Sequence, residues 1–431
     1  MTEDMQAERL FAQSWMPTIT IPIRQVASIF SDYAYEDHDN AGEAKMTRGE
    51  ERPAWNGKVL TFFENGSIEQ ISVQWLRDNC QCETCTHPIT KQRQINVFDM
   101  SDEAFKITKC DVNESTIDID WQDGHHSVYP IGLFMERRSA RKEARRRGLD
   151  KKPKLWDSSI AKSPPSVSFD AIQKNGVGKL LRQIRVYGFC FVPGCPETPD
   201  ATQSLLETIG PIRNTHYGGF YDFTSDMASK DTAYTDLALE AHTDTTYFSE
   251  PAGLQAFHML SHTEGTGGES LLVDGFHAAN QLIHQSREHY FNLSTIGVNC
   301  HASGNDDVSI QPYAAFPVLE HDFSHRGPLV RVRWNNADRA GISGSIQKTN
   351  MWYEAARAFD SILKARENQY WFKLQPGTPL IFDNWRILHG RAAFTGKRRM
   401  CGAYINRDDW ISKYRLTNYG REGVMASTVT G

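Results

Sequence analysis

Two short histidine segments, far apart along the chain, constrain its fold more than any other feature. The first is His242-Thr243-Asp244, and the second contains His389. Side chains two residues apart on a strand point to the same side, so a strand would aim His242 and Asp244 at one point. Two imidazoles and one carboxylate on one face of an octahedron are the ligands of a facial-triad Fe(II) site. We therefore predict that distant parts of the chain meet at one iron ion.

The residues around His389 support this prediction, whereas a His-x-Asp triplet alone occurs often by chance. Pro376-Gly377 is typical of a turn, and residues 380–382 form an apolar run typical of a buried strand. Gly390 follows His389 and permits close approach of the backbone. The segment indicates a turn, a strand and a metal ligand in that order.

A cluster of cations follows His389. Lys397, Arg398 and Arg399 lead into an expected strand at 400–404. If the iron uses 2-oxoglutarate, the distal carboxylate of this co-substrate needs a deep cation, and the planar fork of arginine suits it. Arg398 is the predicted residue. A solvated turn charge is the alternative, and it is favoured more for Arg399.

Three of the eight cysteines are clustered, at Cys80, Cys82 and Cys85. Closely spaced thiols outside an oxidising compartment bind metal more often than they form disulfides. Thiolates suit zinc, and a structural zinc site has four protein ligands, so a fourth is needed. Reduced cysteines on a turn are the alternative.

Composition limits the function classes. The chain has 431 residues, a net charge of −6 and a mean hydropathy of −0.52, with no apolar run long enough to span a bilayer. Residues 1–50 contain many acidic side chains and lack the features of a signal or transit peptide. We therefore predict a partly disordered extension over 1–55, with a short helix near 5–15. A cytoplasmic location is favoured, with a mitochondrial one as the alternative.

A basic segment at 137–147 precedes prolines at 153, 164 and 165, and we predict a helix and linker over 137–165. No aromatic residues interleave its charges, so a solvated helix is favoured over a nucleic-acid or membrane surface. Beyond it, helices are predicted at 169–186 and 350–365, with strands at 187–192, 254–260, 270–273 and 329–334. These elements indicate a mixed, β-rich protein.

Longer motifs carry a resemblance to a known family. They are His242 to Phe248, the glycine-rich 265–276 segment and the 383–391 segment. Together they resemble the gamma-butyrobetaine/trimethyllysine dioxygenase family over 57–409. The resemblance implies a β-rich α+β protein with a double-stranded β-helix (jelly-roll) core at 166–431 and a small zinc-binding β domain at 56–136.

The resemblance also implies site residues. It assigns His125 as the fourth zinc ligand, with His126 and His87 as alternatives. An aromatic cage for a trimethylammonium group maps onto Tyr217, Tyr221 and Tyr234, where Tyr221 replaces an expected tryptophan. Weaker assignments are Ser270 for 2-oxoglutarate and, for the polar end of the substrate, Asp231, Asn335 and Asn336.

The activity implied is Fe(II)- and 2-oxoglutarate-dependent hydroxylation with O2 and ascorbate, and we predict no catalytic residue beyond the metal centre. Segments 223–226 and 231–235 most closely resemble the members of this family that act on N6,N6,N6-trimethyl-L-lysine, and this resemblance implies hydroxylation at C3, the first step of carnitine synthesis. Gamma-butyrobetaine is the alternative substrate. A zinc hydrolase is disfavoured because no general base is evident, and a non-enzymatic zinc-domain interaction protein is the alternative outside enzymes. We expect a small-molecule partner, no nucleic acid and no membrane, and leave a homodimer open.

Overall fold

The computed structural model describes residues 53–64, 67–137, 144–224, 235–322 and 327–428, which divide into two compact units, Met1–Pro130 and Ile131–Gly431. Almost all of the predicted N-terminal extension, residues 138–143 of the basic segment, and the predicted substrate residues Asp231 and Tyr234 lie outside the described residues. In the described part of the chain, helices fall short of the length and apolarity that crossing a membrane requires.

The first unit contains two small antiparallel sheets. One has the order β1-β2-β3 and the other β4-β5-β6. Alternate residues of β5 are buried, and Ile117, Ile119 and Trp121 fill the space beneath the second sheet. The strands are β1 Ala54–Trp55, β2 Val59–Glu64, β3 Ser67–Ser72, β4 Ile107–Val112, β5 Thr116–Trp121 and β6 His126–Pro130, with helix α1 Val73–Asp78 and 3-10 turns Val97–Asp99 and Asp102–Phe105.

The second unit is built on two antiparallel sheets. The larger has the strand order β7-β15-β10-β17-β8, and the smaller has the order β14-β11-β16-β9. Strands β12 and β13 form a separate hairpin pair. The strands are β7 Phe189–Phe191, β8 Tyr221–Thr224, β9 Leu239–His242, β10 Leu254–Thr263, β11 Ser270–Asp274, β12 Leu319–His321, β13 Leu329–Val332, β14 Tyr370–Phe372, β15 Leu380–Asp383, β16 Ile387–Arg391 and β17 Lys397–Ile405.

Helices cover the outer faces of both sheets. A cluster containing Met259, Leu272 and Phe382 joins the two sheets, and separate clusters pack helices on either side. The fold is therefore a mixed α/β fold. The hydrogen-bonded strand pairs among the described residues do not form a closed barrel. The helices are α2 Ile131–Arg137, α3 Phe169–Ala171, α4 Val177–Tyr187, α5 Pro199–Glu207, α6 Gly275–Gln285, α7 Arg287–Thr295, α8 Ile346–Lys364 and α9 Arg407–Thr428, with 3-10 turns Ser158–Lys162 and Arg366–Asn368.

One predicted helix is interrupted. Residues 169–186 were expected to be continuous, but α3 and α4 are separated by the π-type segment Ile172–Gly176. Asn175 has a φ of 75°, in the left-handed region that asparagine tolerates better than most residues.

Helix α8 begins earlier than predicted because Ser345 caps it, its hydroxyl accepting the Lys348 amide at 3.2 Å.

A buried ion pair lies under the smaller sheet. Arg386 donates to both carboxylate oxygens of Asp274 at 3.0 and 2.7 Å, and both side chains are almost fully buried. The remaining donors of Arg386 reach the carbonyls of Val186 and Lys154, at 2.9 and 2.7 Å. Asp274 also accepts the Trp156 amide at 3.1 Å. The pair thus connects four separate segments of the chain, and its hydrogen-bonding capacity is largely satisfied.

Candidate active site

His242 and His389 lie side by side on neighbouring strands. The register of β9 and β16 places them directly opposite each other, with ring centroids 4.3 Å apart. Their Nε2 atoms lie 3.1 and 3.7 Å from Asp244 Oδ1. One ligand atom from each of the three side chains therefore falls within 4.8 Å of the others, close enough to share one ion.

Asp244 reaches this position from a turn. The alternating strand predicted for 242–244 is wrong, because β9 ends at His242. Thr245 has a φ of 59°, a strained conformation for a β-branched residue. Asn384 stabilises the turn: its Oδ1 accepts the Asp244 amide at 2.8 Å and its Nδ2 donates to the Asp244 carbonyl at 3.0 Å. The hydroxyl of Thr245 accepts the Ala252 amide at 2.8 Å, so hydrogen bonds on both sides hold the carboxylate toward the histidines.

Burial and mutual charge separate the pKa values of the three side chains. Burial, together with the charge of His242, lowers the pKa of His389 to about 3. Burial opposes the charged form of His242, but the hydrogen bond and charge of Asp244 outweigh it and raise the pKa of His242. Burial likewise opposes ionisation of Asp244, yet the adjacent histidines hold its pKa well below the usual range. A neutral His389 and an ionised Asp244 are the forms that bind metal.

The second oxygen of Asp244 is engaged by protein donors. Gln255 Nε2 and Tyr404 Oη each lie 2.6 Å from Asp244 Oδ2. Burial, followed by the charge of Asp244, raises the pKa of Tyr404 well above its ordinary value, so its hydroxyl keeps its proton and donates.

These groups line a cavity of about 390 Å3, within the size range of ligand pockets. The cavity wall brings the triad together with every described residue predicted to bind substrate or co-substrate. These residues are Tyr217, Tyr221, Ser270, Asn335, Asn336 and Arg398.

Arg398 is a buried cation in this wall. Its side chain packs against Phe394, with the guanidinium 4.7 Å from the ring centroid. Within the described residues, its Nε and Nη1 atoms have no hydrogen-bond partner, although both are buried. Burial lowers the pKa of Arg398 to about 10, which leaves it charged at neutral pH. Arg399 is instead paired with Asp222 at 3.0 and 2.6 Å and is half exposed.

Aromatic rings form much of the cavity wall. Tyr221 lies opposite Gly402 on β17, and its hydroxyl donates to the Ala256 carbonyl at 2.6 Å. A Cβ at Gly402 would lie 2.7 Å from the Tyr221 hydroxyl, so glycine makes room for this ring. The ring of Tyr217 lies against His216, with ring centroids 3.9 Å apart and the ring planes tilted by 40°. Tyr247, Phe257 and Trp334 add aromatic surface that the sequence did not single out.

The cysteine cluster lies in the first unit, beside His125. The Nε2 atom of His125 lies 3.4, 3.7 and 3.5 Å from the Sγ atoms of Cys80, Cys82 and Cys85. The two alternative histidines are engaged elsewhere. His126 contacts Asp120 at 2.7 Å, and His87 Nδ1 accepts backbone amides at 3.1 and 3.2 Å.

Each sulfur of this cluster also contacts one polar side chain. The buried Arg77 donates to Cys85 Sγ at 3.1 Å and approaches Asp123 at 3.6 Å. The other two contacts are Ser127 to Cys80 at 3.1 Å and Thr84 to Cys82 at 3.0 Å. Such donors stabilise thiolate, the form of cysteine that binds metal.

Several residues around the two clusters escaped the sequence analysis. Asn384 lies inside the 383–391 motif that carried the family resemblance, so that motif contained the signal. Arg77 lies three residues before Cys80, and its contact with Cys85 was not evident from its position in the sequence. Gln255 and Tyr404 stand in ordinary strand sequences. Their role depends on strand register, which the linear sequence does not display.

Two family models match the chain. The model described as taurine catabolism dioxygenase TauD, TfdA family covers residues 135–404. The model described as gamma-butyrobetaine hydroxylase-like, N-terminal, covers residues 56–134.

Curated relatives match most of the chain. It is 44% identical over 396 residues to a Neurospora crassa protein named trimethyllysine dioxygenase, covering 83% of this chain and 82% of that one. A human protein named trimethyllysine dioxygenase, mitochondrial, is 37% identical over 364 residues, covering 81% and 83%. A Pongo abelii protein named gamma-butyrobetaine dioxygenase is 27% identical over 369 residues, covering 83% and 93%. A solved structure of asparagine oxygenase with Fe(II), 2S,3S-3-hydroxyasparagine and succinate aligns with a TM-score of 0.43 at 16% identity, over 55% of this chain and 80% of that one.

Proposed function

The chain belongs to the taurine catabolism dioxygenase TauD, TfdA family, and from its similarity to relatives named trimethyllysine dioxygenase we propose that it hydroxylates N6,N6,N6-trimethyl-L-lysine at C3. It is a 2-oxoglutarate-dependent dioxygenase. The observation that carries the proposal is one cavity that contains the His242, Asp244 and His389 ligand atoms together with the buried cation of Arg398. In carnitine synthesis, this reaction would be the first step.

Iron is the cofactor that this ligand set suits. Two imidazole nitrogens and one carboxylate oxygen converge from His242, His389 and Asp244, and this donor set is typical of Fe(II) oxygenases. When bound there, iron would supply the oxidation together with 2-oxoglutarate and O2, with succinate and CO2 as by-products. The protein contributes positioning and exclusion of water, so a separate acid or base is not required. Ascorbate is the expected reductant that keeps iron in the ferrous state.

Arg398 would bind the distal carboxylate of 2-oxoglutarate. Its unpartnered Nε and Nη1 donors are buried, and a buried donor without a partner is costly. A carboxylate facing the end of the guanidinium would satisfy Nη1 through a charge-assisted hydrogen bond. Ser270 lines the same cavity and would add a hydroxyl donor.

The trimethylammonium group of the substrate would lie against aromatic faces. It cannot donate a conventional N–H hydrogen bond, so the negative faces of aromatic rings are its best partners. Tyr217 and Tyr221 supply such faces in the cavity, and Tyr234 remains the third predicted member. Asn335 and Asn336 would contact the substrate carboxylate, and Asp231 would contact its α-ammonium group.

Gamma-butyrobetaine is the second candidate substrate, because it shares the quaternary head and a relative is named for it. The two substrates differ at the other end, where gamma-butyrobetaine lacks the α-ammonium group. Identity to the trimethyllysine-named relatives is higher, at 44% and 37% against 27%. This difference favours trimethyllysine.

The finer features of the molecule are also proposals. The two facing antiparallel sheets are consistent with the halves of a double-stranded β-helix, preceded by a small β domain in which Cys80, Cys82, Cys85 and His125 bind structural zinc. The domain limits, the cytoplasmic location and the expected absence of nucleic-acid and membrane partners stay predictions. Vertebrate relatives are named mitochondrial, which fits the alternative location.

One incubation tests the proposed reaction. Purified protein is supplied with Fe(II), 2-oxoglutarate, ascorbate and either quaternary substrate, and products are identified by mass. We expect a product one oxygen heavier than trimethyllysine, with succinate formed in proportion, and none from His389→Ala. Faster hydroxylation of gamma-butyrobetaine would assign the other substrate, and substrate-dependent turnover by His389→Ala would contradict the metal assignment.

The aromatic cage has its own test. Tyr221→Leu roughly preserves the apolar bulk of the side chain but removes its π face. It should therefore weaken binding of the charged substrate and have little effect on binding of a neutral carbon isostere. Equal losses for both ligands would mean that Tyr221 only packs.

A further inference from the structure

Gln255 and Tyr404 form a cross-strand pair beside the proposed metal site. Strands β10 and β17 run antiparallel, with Gln255 directly opposite Tyr404. Side chains opposed in this way lie on the same face of a sheet, and both line the cavity. Their donors meet at one atom, Asp244 Oδ2, each at 2.6 Å. The sheet register therefore fixes a two-donor contact to one carboxylate oxygen.

The two oxygens of Asp244 consequently have different surroundings. Oδ1 lies near the imidazole nitrogens, at 3.1 Å from His242 and 3.7 Å from His389. Oδ2 receives an amide and a phenol hydrogen bond, which use the lone pairs of that oxygen. Gln255 and Tyr404 are both buried, and hydrogen bonds shielded from water in this way are stronger.

We infer that Gln255 and Tyr404 are positioning residues that restrict Asp244 to a single metal bond, through Oδ1. This inference rests on the proposed iron site. When three protein ligands occupy one face of an octahedral ion, the three coordination positions of the opposite face are available to the chelating co-substrate and O2. A second bond from Oδ2 would occupy one of those positions. The pair keeps the position available and also holds the carboxylate in its binding orientation.

The test measures metal and co-substrate binding without turnover. Mn(II) serves as the probe, because binding can be followed by calorimetry without oxidation, and 2-oxoglutarate is then titrated into Mn(II)-saturated protein. Tyr404→Phe and Gln255→Leu should each weaken Mn(II) binding about 10- to 100-fold, the usual effect of losing an outer-shell partner. Both should also weaken 2-oxoglutarate binding to the saturated protein, since the released Oδ2 competes for a coordination position.

A matched control separates this role from general loss of structure. Tyr414 is a buried tyrosine whose hydroxyl donates to Asp150 at 2.9 Å, outside the cavity. Tyr414→Phe loses the same kind of bond and should bind Mn(II) and 2-oxoglutarate like wild type. Wild-type affinities for both ligands in Tyr404→Phe and Gln255→Leu would overturn the inference, as would weaker Mn(II) binding with unchanged 2-oxoglutarate affinity. If wild type and His389→Ala bind Mn(II) equally, the proposed metal site itself fails.

Discussion

His258 makes the stability of the second unit sensitive to acid. Its side chain is completely buried, and its Nε2 accepts the Gly377 amide at 3.1 Å. Nδ1 lies 2.6 Å from the hydroxyl of Thr202, whose own proton goes to the Thr198 carbonyl at 3.0 Å. Nδ1 therefore carries the hydrogen and Nε2 does not. Protonating Nε2 would direct an N–H group at the Gly377 N–H group, so the folded protein holds this ring neutral.

Burial lowers the pKa of His258 from its ordinary 6.5 to about 4. Above pH 6.5 the ring is neutral in both the folded and unfolded states. As the pH falls below 6.5, the unfolded state gains a proton and the folded state does not, so stability is lost until the folded ring titrates near pH 4. At about 1.4 kcal/mol per pKa unit, we expect a loss of about 2 kcal/mol at pH 5 and about 3 kcal/mol below pH 4.

The perturbation is His258→Gln, which can still accept from Gly377 but cannot titrate. Urea unfolding followed by fluorescence, from pH 7.5 to 4.5, gives the free energy of unfolding of each protein. The variant should be about 1 kcal/mol less stable at neutral pH, because the bond to Thr202 is lost. Its disadvantage should then shrink and reverse as the pH falls. An exposed histidine, His284, provides the control: His284→Gln should follow the wild-type pH dependence. A constant difference between wild type and His258→Gln at every pH would refute the reasoning.

Three further substitutions test separate sites. Arg398→Met should raise the KM for 2-oxoglutarate on the order of 100-fold in steady-state assays, because a buried charge-assisted contact to a carboxylate is lost, whereas Arg399→Met should leave it unchanged. Equal effects would contradict the assignment. Arg77→Met should weaken zinc binding about 10- to 100-fold in chelator competition, because Cys85 loses its charged donor; Arg93→Met, which breaks an exposed ion pair in the same unit, should retain wild-type affinity. Asp274→Asn should lower the free energy of unfolding by about 3–5 kcal/mol in urea titrations, because it leaves the buried charge of Arg386 unpaired. A loss below about 1 kcal/mol would argue against burial of the Arg386–Asp274 pair.

Much of the site could be predicted from residue chemistry. His242, Asp244 and His389 were chosen because few side-chain sets suit an open Fe(II) site, and the structure brings one ligand atom of each close together. Arg398 and Arg399 differ in their surroundings: within the described part of the chain Arg398 is buried and makes no ion pair with an acidic side chain, whereas Arg399 is paired with Asp222 at the surface.

What the sequence did not provide depends on contacts between distant segments. Asp244 was expected on a strand, but Asn384 holds it in a turn from a position 140 residues away. The Gln255–Tyr404 pair depends in the same way on register between β10 and β17. Local patterns predict elements, whereas such pairings are set by how the elements pack. For the same reason, strands were located more reliably than their ends.

The buried Arg386–Asp274 pair has a consequence for the lifetime of the folded protein. Arg386 bonds to partners 112, 200 and 232 residues earlier in the chain. Contacts across such separations carry a large loop-closure cost, so we expect them to form late, after the folding transition state. An interaction that is absent from the transition state has little effect on the folding rate, but it lowers the unfolding rate. The pair should therefore determine how long a folded molecule persists, and have little effect on how quickly a new chain folds.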